Sequence, residues 1–255
     1  MIFLKTADEI ELLRQSNLLV GRALAEVAKI IEPGVTTRQL DKVAEEFIRD
    51  NGAIPTFKGY PNHEGTPFPG SICASVNDVV VHGIPSDAPL KEGDIISVDC
   101  GTLLNGFCGD SCYTFCVGEV DEATRKLLQV TKESLYKGIE QAVHGKRLGD
   151  IGNAVQTHCE QNGFGVVREF VGHGIGREMH ESPEVPNYGR KGNGLQLRQG
   201  MCIAIEPMIT LGKRQIFMER DGWTVRTRDR KNAAHFEHTI AITKDGECMI
   251  LTLPD

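Results

Sequence analysis

The sequence predicts an α+β chain made of two similar helix–sheet halves, and three observations predict it. Residues 8–50 and 121–161 each read as helix, glycine breaker, helix. Short apolar segments bounded by turn residues accompany each stretch and read as strands. No low-complexity linker separates the halves, so one domain over residues 1–255 is expected, with pseudo-repeat halves at about 8–120 and 121–255.

The first helix is expected over 8–31, where Ile10, Leu13, Leu18, Val20, Leu24, Val27 and Ile31 recur at helical spacing. The stretch EPGV breaks it, and Thr36 or Thr37 caps a second helix running to about Asp50. Asn51-Gly52 is the stop signal. Strands are expected around 71–76, 94–100 and 112–117. The later half repeats this order, with helices at 121–143 and 148–161, a breaker at Gly145 and a stop at Asn162-Gly163. An offset of about 111 residues pairs Gly34 with Gly145, Leu40 with Ile151, Ala44 with Val155 and Gly52 with Gly163. Two sheets covered by helices on one side are the simplest way to bury both halves.

Composition sets outer bounds. With 40% hydrophobic and 25% charged residues the chain has ordinary globular composition rather than that of a disordered polymer. Its apolar runs, such as 95–98 and 202–205, are too short to span a bilayer. The first residues turn acidic and amphipathic where a signal peptide would be apolar, so a cytoplasmic location with no membrane partner is expected. A net charge of −7 argues against a surface that attracts nucleic acid as a whole. Residues 213–231 are the exception, with Lys213, Arg214, Arg220, Arg226, Arg228, Arg230 and Lys231 against three acids. Such a run is ordinarily a solvated loop. The 8 cysteines include no CxxC pair and fit reduced, buried thiols better than disulfides or a zinc site.

The chemistry lies in acids set among apolar residues. Asp99 closes the run DIISVDCG, and Asp110, in CGDSCYTF, is placed at the start of the returning strand of a hairpin. Glu206 follows the apolar strand CIAI, and Glu237 lies in HFEHTIAI at another strand. A buried carboxylate is costly without compensating charge. These segments hold no lysine or arginine to supply it, so cations are the expected compensation. His173, in VGHGIG, and His180, in MHESP, add nitrogen donors. Histidine with several carboxylates suits Mn, Fe, Co or Zn. Because a carboxylate can bridge two ions, four acids and one histidine suffice for a pair. Such a pair binds a shared water, lowers its pKa and polarises a carbonyl, which is amide hydrolysis.

With these residues in view, the chain resembles the type I methionine aminopeptidases of the pita-bread fold, from about Thr6 onward. The motifs that carry the resemblance are CASVNDVVVHGIP (73–85), SVDCG (97–101), GDSCYTF (109–115), GHGIGREMHESP (172–183), IAIEPM (203–208) and HFEHT (235–239). It implies two divalent metal ions per chain, held by Asp99, Asp110, His173, Glu206 and Glu237, with Asp110 and Glu237 bridging. It makes Glu206 the acid/base, His180 the group that stabilises the carbonyl oxygen or tetrahedral intermediate, and His82 a contact to the scissile amide. It places Tyr60, Cys73, Met179 and Trp223 around the methionine side chain, and a monovalent cation near Asn77 and Val79. The substrate it implies is the initiator methionine of nascent polypeptides, with a small second residue. A monomer is expected, with contact to the ribosome through 213–231.

The chain departs from the family pattern in a lengthened 60–73 segment, YPNHEGTPFPGSIC, where Phe68 is expected to form the upper pocket wall. The short interval from Glu206 to Glu237 has no room for the helical insert of type II enzymes. The rival readings are an X-Pro aminopeptidase or prolidase-like hydrolase, whose families usually add an N-terminal domain, and a metal-free protein-binding module of the same fold.

Overall fold

Residues 2–243, 245 and 247–254 are described by a computed structural model. Helix α1 (Ala7–Ala28) starts at a reciprocal cap: the Glu9 N–H donates to the Thr6 side chain, and the Glu9 carboxylate accepts from the Thr6 N–H. Helix α2 (Thr37–Asp50) repeats the device with Thr36 and Gln39. Asp121 caps helix α3 (Glu122–Ile139) through the Thr124 N–H. Helix α4 (Leu148–Gln161) follows Arg147, which offers no side-chain cap; instead the Asp150 carboxylate accepts from the Arg147 N–H at 2.8 Å. Helices α1 and α3 stop short of residues 31 and 143. Their last turns tighten to bonds from Ile30 to Val27 and from Ala142 to Ile139, one residue closer than an α-helix uses.

The same hydrogen bonds recur in both halves. The Gly34 N–H donates to the Leu90 carbonyl at 2.8 Å, and the Gly145 N–H to the Leu197 carbonyl at 3.0 Å. Leu90 and Leu197 donate back to Val35 and Lys146 at 2.8 and 2.7 Å. Both breakers have positive φ, 98° at Gly34 and 89° at Gly145, a region that residues with a Cβ rarely adopt.

The strands differ from the sequence expectation in one instructive way. Ile95–Leu104 and Phe107–Cys116 are ten residues each and form a single hairpin, paired from Ile95↔Cys116 to Leu104↔Phe107. The turn is Asn105-Gly106, with φ of 53° and 79°, the tight Asn-Gly turn whose twist suits a hairpin. Asp99 and Asp110 therefore lie within long strands, not at a strand end and a strand start. The acid at 99 was the weaker boundary signal; the Asn-Gly pair sets the actual one. Ile54–Pro55 and Ile72–Val76 pair along the outer edge of Ile95–Leu104.

A five-stranded sheet runs in the order Cys248–Ile250, His238–Ile242, Cys202–Ile205, Gly172–Gly174, Glu181–Val185. Two three-stranded groups complete the strands among the described residues, so there are four hydrogen-bonded sheets where two were expected. One joins Gly165–Val166, Met208–Thr210 and Ala233–His235; the other joins Val79–Val81, Val225–Thr227 and Ile216–Met218. The 213–231 stretch is thus partly a β-ribbon rather than only a solvated loop. Val225 pairs with Val81, and Asp78 binds Arg226 at 2.5 Å and Arg230 at 3.1 Å.

Helices α1 and α2 pack on the first sheet through Leu19, Val20, Leu40, Ala44, Ile72 and Val98. Helices α3 and α4 share a second core with Leu127, Ile151, Val155, Ile203, Ile205 and Ile240. Tyr113 packs against both. All eight cysteines are free, and the Cys108 and Cys112 thiols donate to the Arg177 and His235 carbonyls, each at 3.5 Å. Among the described residues no helix is long and apolar enough to cross a membrane.

Candidate active site

The four acids converge because two ribbons meet there. In the hairpin, Asp99 pairs with Cys112 and Gly101 with Asp110, so the two aspartates share a face two residues apart. On the other side, His238 pairs with Ile205 and Met208 with His235. Glu206-Pro207 and Phe236-Glu237 fall in the break between these pairings, where Pro207 has no N–H to donate. Glu237 is accordingly in a break between strands rather than within one. The ribbons are laced together: the Glu237 N–H donates to the Cys112 carbonyl at 2.9 Å, and the Ser111 hydroxyl to the Glu237 carbonyl at 2.7 Å. The Thr239 hydroxyl donates to the Asp110 carbonyl at 2.9 Å, and the Asp110 N–H to the α1 residue Asn17 at 3.0 Å.

Asp110 and Glu237 are 3% and 2% exposed, and no lysine or arginine pairs with either among the described residues. Asp99 Oδ1, Asp110 Oδ1 and Glu237 Oε1 are buried without a hydrogen-bond partner. Burial, then the charges of Asp110 and Glu206, push the Asp99 carboxyl well above the usual carboxylate range. Burial with Asp110, Glu206 and Asp99 does the same to Glu237. Asp110 is raised by burial, against the pull of His173. Orphaned oxygens at this density are what a cation is needed to satisfy.

His173 Nδ1 lies 2.9 Å from the Gly174 carbonyl, which can only accept, so Nδ1 carries a proton. Nε2 is left 3.5 Å from Asp110 Oδ2 and 3.7 Å from Glu206 Oε1. Burial pulls this imidazole down, but Asp110, Glu206 and the Gly174 carbonyl outweigh it and lift it to about 8. Asp110, His173 and Glu237 each present one ligand atom within 4.8 Å of the others. The donor set, carboxylates with one imidazole fixed through its far nitrogen, fits a borderline divalent ion.

A cavity of about 630 Å³ opens onto these acids and is lined by Asp99, Asp110, His173, Glu206 and Glu237 together with Tyr60, Phe68, Cys73, His82, His180 and Trp223. It is of small-ligand size. His82 has a φ of 57°, and its ring meets Phe170 and Trp223 edge-on at 5.4 and 5.9 Å. Burial lowers His82 to about 4, so it is neutral near pH 7. His180 is likewise lowered to about 4, by desolvation and then by His173, whose ring lies 4.3 Å away. Tyr60 Oη bonds His180 Nδ1 at 2.7 Å. The turn before His180 is held by Glu181, which accepts from the Arg177 N–H at 2.9 Å and pairs with the buried Lys5. Phe68 packs edge-on to Trp223 at 5.1 Å, and the lengthened segment doubles back through a Pro61↔Pro67 bridge.

Met179 alone of the expected residues is not on the cavity wall. It is buried with Leu13, Phe107 and Ile175, its Cε 2.5 Å from where a Cβ on Gly101 would stand. Asn77 also has settled partners: its carboxamide donates to Asp94 at 2.8 Å and accepts from the Ile95 N–H at 3.0 Å, and its carbonyl accepts from Ala233 at 2.9 Å. A monovalent ion there would share oxygens that already accept hydrogen bonds. Sequence reasoning missed Asn62, His63, Phe170 and Met218 on the wall, and His235, whose Nε2 is 3.4 Å from Glu206 Oε2. His235 stands in the HFEHT motif, which was the available signal.

A family model described as metallopeptidase family M24 matches residues 11–244. A methionine aminopeptidase of Clostridium acetobutylicum is 53% identical over 254 residues, which is 99% of each chain. The crystal structure of a methionine aminopeptidase from Thermotoga maritima superposes with a TM-score of 0.95 at 44% identity, covering 100% of both chains. A prolidase from Pyrococcus furiosus shares the fold, with a TM-score of 0.77 at 22% identity over 99% of this chain and 66% of its own.

Proposed function

The chain belongs to metallopeptidase family M24, and from that premise we propose that it removes the N-terminal methionine from polypeptides by metal-dependent hydrolysis. Its fold is the pita-bread fold common to methionine aminopeptidases and prolidases. The observation that carries the reading is the cluster Asp110, His173 and Glu237 at the floor of the cavity, with orphaned oxygens on both acids. Asp99, Asp110, His173, Glu206 and Glu237 would hold two divalent ions of the Mn, Fe, Co or Zn type. Bound there, the ions would supply a water of lowered pKa and a Lewis acid for the scissile carbonyl.

The remaining steps belong to side chains. Glu206 takes the proton of the attacking water and passes it to the leaving amine. His180 has its Nδ1 engaged by Tyr60, which leaves Nε2 to donate to the carbonyl oxygen as charge develops. His82, neutral and at the cavity wall, contacts the scissile amide. Tyr60, Phe68, Cys73 and Trp223 enclose the methionine side chain, and Met179 packs beside the wall residue Phe57 in the space a Cβ on Gly101 would fill. The domain organisation is one catalytic domain of two halves, acting in the cytoplasm as a monomer on nascent N-termini with a small second residue. Exposed Lys213 and Arg220 mark the face that meets the ribosome. The monovalent cation near Asn77 is not required by this scheme.

The test is direct. Purified protein supplied with Mn or Co releases methionine from Met-Ala-Ser and leaves X-Pro peptides intact. No methionine release, with no bound metal, refutes the reading; cleavage of X-Pro instead favours the prolidase-like alternative.

A further inference from the structure

We infer that His235 is a positioning residue for Glu206, its Nε2–H directed at Glu206 Oε2 so that Oε1 keeps its place beside His173. The inference rests on Glu206 belonging to the metal site. His235 is 2% exposed, its buried Nε2 has no other hydrogen-bond partner among the described residues, and Glu206 Oε2 lies 3.4 Å from it. Glu206 Oε1 lies 3.7 Å from His173 Nε2, so one carboxylate is set between two imidazoles.

The backbone of His235 has little freedom to take its ring elsewhere. The Thr114 hydroxyl donates to its carbonyl at 2.7 Å and accepts its N–H at 3.0 Å. Ser97 and Thr114 share a hydrogen bond at 2.8 Å, and since Thr114 already spends its proton on His235, Ser97 is the donor. The pairing of His235 with Met208 fixes the strand from the other side, one residue before the chain reaches Pro207 and Glu206. The tautomer follows from the neighbour: a lone pair on Nε2 would face an anionic oxygen with no proton between them, whereas an N–H gives the carboxylate a donor. A carboxylate that binds an ion through one oxygen gains geometry and basicity control from a donor on the other.

Three measurements on the full chain test this. Titration calorimetry with Mn2+ compares the metal-free wild type with His235→Leu and His235→Gln. The leucine variant, apolar and without a donor, is expected to bind the ion that shares Glu206 about 10–100-fold more weakly. The glutamine variant, whose amide can donate, recovers most of that loss. Long-range nitrogen–proton NMR on zinc-loaded wild type is expected to show a proton on His235 Nε2, a readout that does not depend on either variant folding. Wild-type Mn2+ affinity in His235→Leu, or an Nε2 that is unprotonated and bound to zinc, overturns the inference alone. Absence of Mn2+ binding by the wild type overturns it together with the proposed function.

Discussion

Glu206 and Glu237 stand on opposite strands of one antiparallel ribbon at the same interruption, between the His238↔Ile205 pairing and the Met208↔His235 pairing. The two pairings keep a single register, so Glu206 and Glu237 stand directly across from each other and share one face. That shared face is the one that lines the cavity holding Asp99 and Asp110.

Asp110→Asn should leave the protein folded and unable to hold two ions. A neutral amide keeps the shape but halves the charge available for bridging. Metal analysis is expected to give at most one Mn per chain. The fall in kcat/KM should exceed the roughly 10–100-fold typical of outer-shell partners. Two ions per chain in the variant would contradict the bridging role.

His180→Ala should lower kcat by about 10²–10³-fold while the Mn content stays at the wild-type level, because a donor to developing oxyanion charge is lost and no ligand is. Tyr60→Phe should produce a smaller loss in the same direction, since Nδ1 loses its partner while Nε2 remains. Metal loss in His180→Ala would reassign His180 as a ligand.

Acidity and metal should act in opposition on stability. Burial first, and neighbouring carboxylates second, raise Asp99 and Glu237 above the usual range. A carboxyl raised in the fold binds more protons folded than unfolded. The metal-free chain therefore loses stability as pH rises above the ordinary carboxylate value of about 4 toward the raised folded value. Ions require the ionised acids and remove that penalty. The rise in thermal midpoint on adding Mn2+ should grow between about pH 5 and about pH 8, with protons released on binding. A midpoint shift that is flat across this range would count against metal binding by these acids.

Lys213→Glu with Arg220→Glu should weaken co-sedimentation with ribosomes and leave hydrolysis of a short peptide unchanged. Both side chains are exposed, whereas Arg226 and Arg230 are held by Asp78 and Glu219 and contribute less free charge. Equal co-sedimentation of variant and wild type would remove the proposed contact.

The legible parts of this sequence were those decided locally. Thr36, one of the two threonines expected to cap the second helix, Asp121, and the glycines at 34 and 145 act within a few residues of themselves, and the helices begin where they say although α1 and α3 end a turn early. The acids were legible as a group because charge without a counter-charge is conspicuous in an apolar run. What escaped was set by distant pairing. Val225 becomes a strand between Met218 and Val81, and Arg226 is partly drawn from solvent by Asp78 and Glu219. Met179 has the composition of a pocket residue, yet the glycine at 101 opens a space that draws its Cε inward. His235 is given no role by its local sequence, because Glu206 is brought beside it only by a pairing across the ribbon.

The turn at Asn105-Gly106 also bears on how this chain can diverge. Asp99 and Asp110 meet because the count of residues between them is right, not because any one intervening letter is. Inserting a single residue between them would reverse the orientation of everything after it, carrying Asp110 to the side packed by α1. Inserting two would restore the face and slide the acid by one rung. The hairpin therefore constrains the number of residues between the two acids more than the identity of those residues.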